Sequence, residues 1–198
     1  MRQTWMHLLL IGVLAAVVAA SGMAAERAQL VEVDGLVRIH GADGSTVRAE
    51  AGDTLSRGMA LSTGFDATAV LDLGRARVTV DPVSHIELAE LQASASQTAQ
   101  SQSETTMDLS FGRVRSEVRT TESREREFRV QSPVSAAAVK GTDFVYDGSL
   151  LTVYEGDVSL RNRIGQTHSV RHGQRSRAYG YESIQSVEAY YREAARLP

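Results

Sequence analysis

Four carboxylates crowd one stretch of the chain: Asp143, Asp147, Glu155 and Asp157. Paired carboxylates can divide acid and base roles or bind calcium. Here Asp147 and Glu155 each precede a glycine, which is turn composition first. Neither a D-x-D-x-D spacing nor a glycine-rich calcium repeat accompanies them. His168 and His172 stand four apart, a spacing that on a helix would face one metal. Their segment, Gln166–Gln174, is strand-like and glycine-flanked, and on a strand the two would lie about 13 Å apart. His40 and His85 are isolated along the chain. Ser110, Ser116 and Ser135 lack the context of an activated nucleophile. Gly141-Thr142 follows a single Lys and opens no helical segment, so no phosphate cradle is formed. Cysteine is absent, which removes disulfides, thiolate metal sites and a Cys nucleophile. The chain therefore reads as a protein that is not an enzyme, with no cofactor and no metal.

What remains is binding chemistry. Lys140 and Thr142 flank Gly141 in a turn, where Lys140 can reach a ligand and Thr142 can bond the turn backbone. Arg161, Arg163, Arg171, Arg175 and Arg177 make the late segment locally basic. On stacked strands they would form a stripe able to meet an anionic wall polymer or an acidic partner. The formal net charge of −3 argues against nucleic acid, which needs a basic face.

Positioning such residues falls to short strands. Apolar residues alternate with polar ones at Ala67, Ala69, Leu71 and Leu73, at Ala76, Val78 and Val80, and at Phe144-Tyr146, Leu151-Val153 and Val158-Leu160. That is period-two patterning, separated by glycine turns every eight to twelve residues or so. Asp34-Gly35 reads as a hairpin turn. Residues 92–106, rich in Gln, Ser, Thr and Ala, have too little apolar surface to fix themselves and read as a mobile insertion. Ile184, Val187, Tyr190 or Tyr191, and Ala194 fall at helical spacing, so 181–198 is expected to be an amphipathic helix docked on the β body. The expected fold is all-β: a short β-solenoid or β-roll closed by that helix.

The N-terminus has the layout of a secretory signal peptide over residues 1–25. Arg2 supplies charge, Leu8–Ala20 is an unbroken apolar run, and small residues follow up to Ala24 and Ala25. The run is short for a membrane span of about 20 residues. The body is expected outside the cytoplasm, periplasmic or secreted, touching a membrane only through this segment if it is retained.

The order of motifs resembles the FecR domain family, known chiefly from periplasmic regulators that relay iron-uptake signals. Its early part is matched by Gly52, Asp53, Leu55, Gly58, Leu61, Thr63, Gly64, Ala67, Ala69, Leu71 and Leu73. Gly112 and Val114 follow, then Phe128, Val130, Pro133, Val139, Gly141, Thr142 and Phe144, then Val153, Glu155, Gly156 and Val158, and finally Gly173-Gln174. The likeness runs over residues 30–178, within a domain read as 26–180. Lys140 stands where the family often has Arg, and Ser132-Pro133 replaces a frequent Thr-Pro. The resemblance implies a sensory-module fold, a protein partner in the envelope and a part in signalling. Only seven residues precede the apolar run, so the family's cytoplasmic anti-sigma segment is not expected. A cell-wall glycan is the alternative ligand. Gly52–Ser56 also mimics the start of a LysM glycan-binding unit, but the glycines and alternating strand that follow oppose the helices such a unit needs.

Overall fold

The computed structural model describes residues 27–91, 103–119, 126–178, 185–188 and 192. They form strands β1 (Ala28–Asp34), β2 (Val37–His40), β3 (Thr46–Arg48), β4 (Thr54–Leu55), β5 (Ala60–Thr63), β6 (Thr68–Asp72), β7 (Ala76–Val80), β8 (His85–Leu91) and β9 (Ser103–Phe111). The second half adds β10 (Val114–Val118), β11 (Arg126–Gln131), β12 (Ser135–Val139), β13 (Asp143–Tyr146), β14 (Leu150–Glu155), β15 (Asp157–Asn162), β16 (Thr167–Arg171), β17 (Arg175–Arg177) and β18 (Gln185–Ser186).

The strands fall into two nine-stranded sheets. One has the order β18-β17-β14-β13-β10-β7-β6-β1-β4, the other β16-β15-β12-β11-β9-β8-β5-β2-β3. Apart from the first few strands, spatial order follows chain order in both. The chain lays one or two strands in one sheet, turns a corner and lays the next in the other. Neighbours are antiparallel, except that β9 and β11 run parallel because β10 crosses to the other sheet between them. Every turn therefore lies at one of two ends of the body. The Lys140–Thr142, Glu155–Asp157 and Arg171–Gln174 turns share one, here called the motif end. The turns at Asp34–Leu36, Gly64–Ala67, Asp81–Ser84, Phe111–Arg113, Asp147–Ser149 and Asn162–Gln166 share the far end.

Alternation holds strand by strand. In β10, Val114, Ser116 and Val118 are buried while Arg115 and Glu117 face out; β12 buries Ser135, Ala137 and Val139. The inward side chains of both sheets form one core. Leu71, Val78, Val80, Phe144 and Val153 from the first meet Ile86, Leu88, Met107, Val130 and Leu160 from the second. Each fully buried aliphatic or aromatic side chain contributes about 1.5–3 kcal/mol.

Four expectations change. The sheets are open and antiparallel, so a solenoid is not confirmed. A helix over all of 181–198 is not seen: Gln185–Ser186 pair with β17 as strand β18, and most of the remainder lies outside the described residues. Of the expected 92–106 insertion, Ser103–Thr106 instead belong to β9, where Thr105 and Thr106 are buried; β-branched Thr suits a strand. Residues 92–102 lie outside the described residues, as do 1–25. Asp34-Gly35 is a corner between sheets and not a hairpin. A Cβ at Gly35 would stand 2.6 Å from the Asp66 carbonyl oxygen, an approach that only glycine allows there. Among the described residues no helix is long and apolar enough to cross a membrane.

Tyr146 locks the hairpin turns of the two sheets together. Its buried hydroxyl lies 2.7 Å from Ser135 Oγ, 3.0 Å from Ser132 Oγ and 2.9 Å from the carbonyl oxygens of Ser135 and Gly148. Burial pushes the phenol up to about 12. The folded state favours the neutral phenol, so its contribution is complete below pH 10.0, the ordinary value, and is lost as pH rises toward about 12. Tyr146→Phe should lower stability near neutrality by about 1–2 kcal/mol. It should also flatten the loss of stability between pH 10 and 12, read by urea unfolding at stepped pH; an unchanged alkaline slope would refute the assignment.

Candidate functional site

The sequence motifs meet at the motif end because their glycines let two corners touch. Gly141 has φ 146° and Gly156 φ 77°. A Cβ at Gly156 would stand 2.6 Å from the Gly141 carbonyl oxygen and 2.7 Å from Thr142 Cγ2. The Thr142 N–H donates to Val118 O at 3.0 Å, and the Val118 N–H donates back to Thr142 O at 2.8 Å. His172 joins through its N–H to Gly156 O at 2.9 Å and through Nδ1 to the Tyr154 carbonyl oxygen. The two turns read separately from the sequence are thus one structural unit.

A cleft of about 460 Å³ opens beside it, lined by Arg77, Glu117, Val118, Arg119, Gly141, Thr142, Asp143 and Glu155. Thr142 is 4% exposed, and its Oγ1 is buried without a hydrogen-bond partner. Asp143 accepts from Arg115 Nη2 at 2.8 Å, and Arg115 also lies over the Tyr154 ring, 5.4 Å from its centre. The Asp143 carboxylate raises the Arg115 guanidinium above its ordinary value, first by the hydrogen bond and then by charge. Lys140 is exposed on the turn itself.

The arginines do not form one stripe. Arg161 projects from the outer face of β15, beside a groove of about 360 Å³ that also touches Arg129, Gln131, Ala136, Ala138 and Ser159. Arg163 is exposed in the far-end turn between β15 and β16. Arg171 closes β16 at the motif end, 3.8 Å from Asp157, and Arg175 lies on β17 in the other sheet. Period-two patterning could not foresee that the chain changes sheets between Arg171 and Arg175. The carboxylates divide as well: Asp143, Glu155 and Asp157 are at the motif end, and Asp147 caps its own turn at the far end, accepting from Leu150 N–H at 2.7 Å. No group of three or more His, Asp or Glu among the described residues is placed to hold a metal.

The outer edge of β16 is a second feature of the surface. Asn162 N–H donates to Gln166 O at 3.0 Å, so the antiparallel alternation makes Leu160–His168 and Val158–Val170 the hydrogen-bonded pairs. The backbone groups of Thr167 and Ser169 then turn outward, away from β15. A groove of about 730 Å³ runs alongside, between His168, Ser169 and Arg171 and the segment bearing Ser186, Glu188 and Arg192.

Two features escaped the sequence reading. His40 and His85, distant along the chain, lie 5.6 Å apart by ring centre, and His85 stacks on Phe111 at 5.8 Å. Partial burial, then the neighbouring His40, hold His85 below the ordinary imidazole value. The other is a set of exposed apolar turn tips at the far end. Its signal was present in Gly64-Phe65-Asp66, where an aromatic sits in a turn segment outside any alternating run.

The fold is a two-sheet, all-β body whose motif turns build structure before they build chemistry. The FecR protein family model matches residues 59–159, and the chain belongs to that family. Two crystal structures of a protein from Parabacteroides distasonis ATCC 8503, assigned only provisionally as an anti-sigma factor, share the fold, at 1.65 and 2.50 Å resolution. Each matches with TM-score 0.51 and 12% identity, over 64% of this chain and 58% of that one. The chain thus spans a little over half the length of that relative. No curated protein matches.

The paired corners give a test. Gly156→Ala should cost roughly 3 kcal/mol through a strained φ and a backbone clash. Gly173→Ala has φ 75° but nothing within 4 Å of its Cβ, and should cost only about 1 kcal/mol. Equal losses in chemical denaturation would mean that the two corners do not depend on each other.

Proposed function

We propose that the protein is an exported, non-catalytic interaction module of the bacterial cell envelope, which binds a protein partner and contributes to envelope signalling. Family membership supports a regulatory role, and the provisional anti-sigma assignment of the structural relative agrees with it. The signal-peptide layout of residues 1–25 and the lack of cysteine suit an exported module. The hairpin-by-hairpin advance of the chain supports a roll-like description of the body.

The observation that carries the reading is the edge of β16. Edge strands are templates for an added strand. Among the described edges, β4 and β18 have two residues and β3 has three, while β16 has five. An incoming extended segment would pair with the outward groups of Thr167 and Ser169. His168 and Arg171 beside them favour an acidic segment. Exposed Lys140 at the motif end, and Arg175 beyond Arg171, extend the surface on which such a partner would rest, whereas Thr142 is buried and touches no partner directly. A glycan reading is favoured by one further observation, the outer-face groove lined by the Arg129–Glu127 ion pair, Gln131, Arg161, Ala136, Ala138 and Ser159, with Thr167 of β16 also lining it.

Ser169→Pro separates them. Proline removes one outward N–H without breaking a ladder bond, so stability should change by only about 1 kcal/mol. Envelope extracts with and without muramidase treatment are offered to immobilised wild type and variant. We expect capture by wild type in both extracts and its loss in Ser169→Pro. Capture that survives the proline, and disappears only after muramidase, would replace strand addition with glycan binding.

A further inference from the structure

Eight large hydrophobic side chains are exposed among the described residues, and five of them (Leu36, Phe65, Val83, Phe111 and Ile164) sit on turns or strand ends at the far end. Phe65 is 86% exposed. They stand on separate turns spread along that end, yet five of eight at one end set it apart from a body with single apolar residues scattered evenly.

These tips are held rigidly. Val83 has φ 54°, a left-handed conformation that a β-branched residue adopts only when its surroundings impose it. The Val83 N–H donates to Gly64 O at 3.0 Å. Thr63 Oγ1 donates to Asp81 O at 2.6 Å and accepts from the Ser84 N–H at 3.0 Å, and Ser84 Oγ accepts from the Arg113 N–H at 3.0 Å. A Cβ at Gly112 would stand 2.2 Å from Ser84 Oγ. The network fixes three corners at once and leaves Val83 and Phe111 facing water. Strain kept at an exposed apolar position is the mark of a contact surface.

Charge identifies the occupant. Phe65 is followed by Asp66, which abuts the Asp34-Gly35 corner, so this tip is apolar and acidic. On the far side of the same end, Ile164 follows Arg163 and stands near Arg161, so that tip is apolar and basic. The acidic tip disfavours an anionic lipid surface, and residue 27 leaves the body at the opposite end, beside Ala28. A self-complementary surface is what a two-fold interface needs. We infer that the far end binds the far end of a second copy. Phe65 of each protomer packs on Ile164 of its partner, and Asp66 of each faces the partner's Arg163. The surface meets the β16 edge only at the turn that leads into Thr167, and Asp66→Arg, on a distant corner, tests it apart from that edge.

Sedimentation equilibrium of protein purified from the envelope fraction tests this. Wild type should dimerise at micromolar concentrations. Asp66→Arg and Arg163→Asp should each weaken the dimer at least about tenfold, and the double variant should recover most of that loss. Ile164→Asp, with unchanged circular dichroism, should abolish the dimer without charge rescue. Wild type that stays monomeric at about 100 μM, or a double variant as weak as either single one, would overturn the proposal. So would loss of vesicle binding, in place of loss of dimer, on substitution of Phe65→Asp.

Discussion

Burial of Leu71, Val78, Val114, Phe144 and Val153 from one sheet against Ile86, Met107, Val130, Val139 and Leu160 from the other is the contact from which the rest of the molecule follows. A strand with one apolar face can hide it only under a second sheet. Because successive strands must supply both sheets, the chain turns a corner every one or two strands. Corners where two backbones meet exclude a Cβ, which explains the glycines at 35, 112 and 156. The motifs that mark the family are therefore of two kinds, the apolar strand residues of the core and glycines such as Gly112 and Gly156 that let corners close.

That origin explains what could be read in advance. Period-two alternation made β6, β7, β13 and β14 legible, because burial on one face writes itself into the order of side chains. Turn positions were legible from Gly and Asp. Whether a turn joins neighbours in one sheet or crosses to the other was not, because Asp34-Gly35 and Asp147-Gly148 are alike in composition. One is a corner and the other a hairpin. The difference lies in what the flanking strands find to pair with. The same gap scattered the arginine stripe: Arg161 and Arg171 lie at opposite ends of the β15–β16 ladder, and Arg175 belongs to the other sheet.

Polar groups in the interior divide into two kinds. Tyr146, Ser132, Ser135, Thr63 and Ser84 are knitted to backbone carbonyls and amides at the far end and stiffen it. Thr142, Ser116 and Ser176 bury hydroxyls without partners, and buried polar groups of that kind carry a desolvation penalty. Thr142 lies at the motif end beside the charged cleft. The two ends thus differ in character: one is cross-braced and apolar at its tips, the other charged and less satisfied.

Strand order that tracks chain order has a mechanical meaning. Past the first strands, where β4 and β3 lie outside β1 and β2, each strand pair among the described residues touches little beyond the pairs before and after it. Such a body comes apart like a zip fastener, from its two margins inward. Amide protons on β16–β18 and on β3–β4 would exchange first, and those on β7, β9 and β10 last. A pull on the β18 margin would peel ribbons in succession, whereas one on β1 meets a strand held on both sides, by β4 and β6.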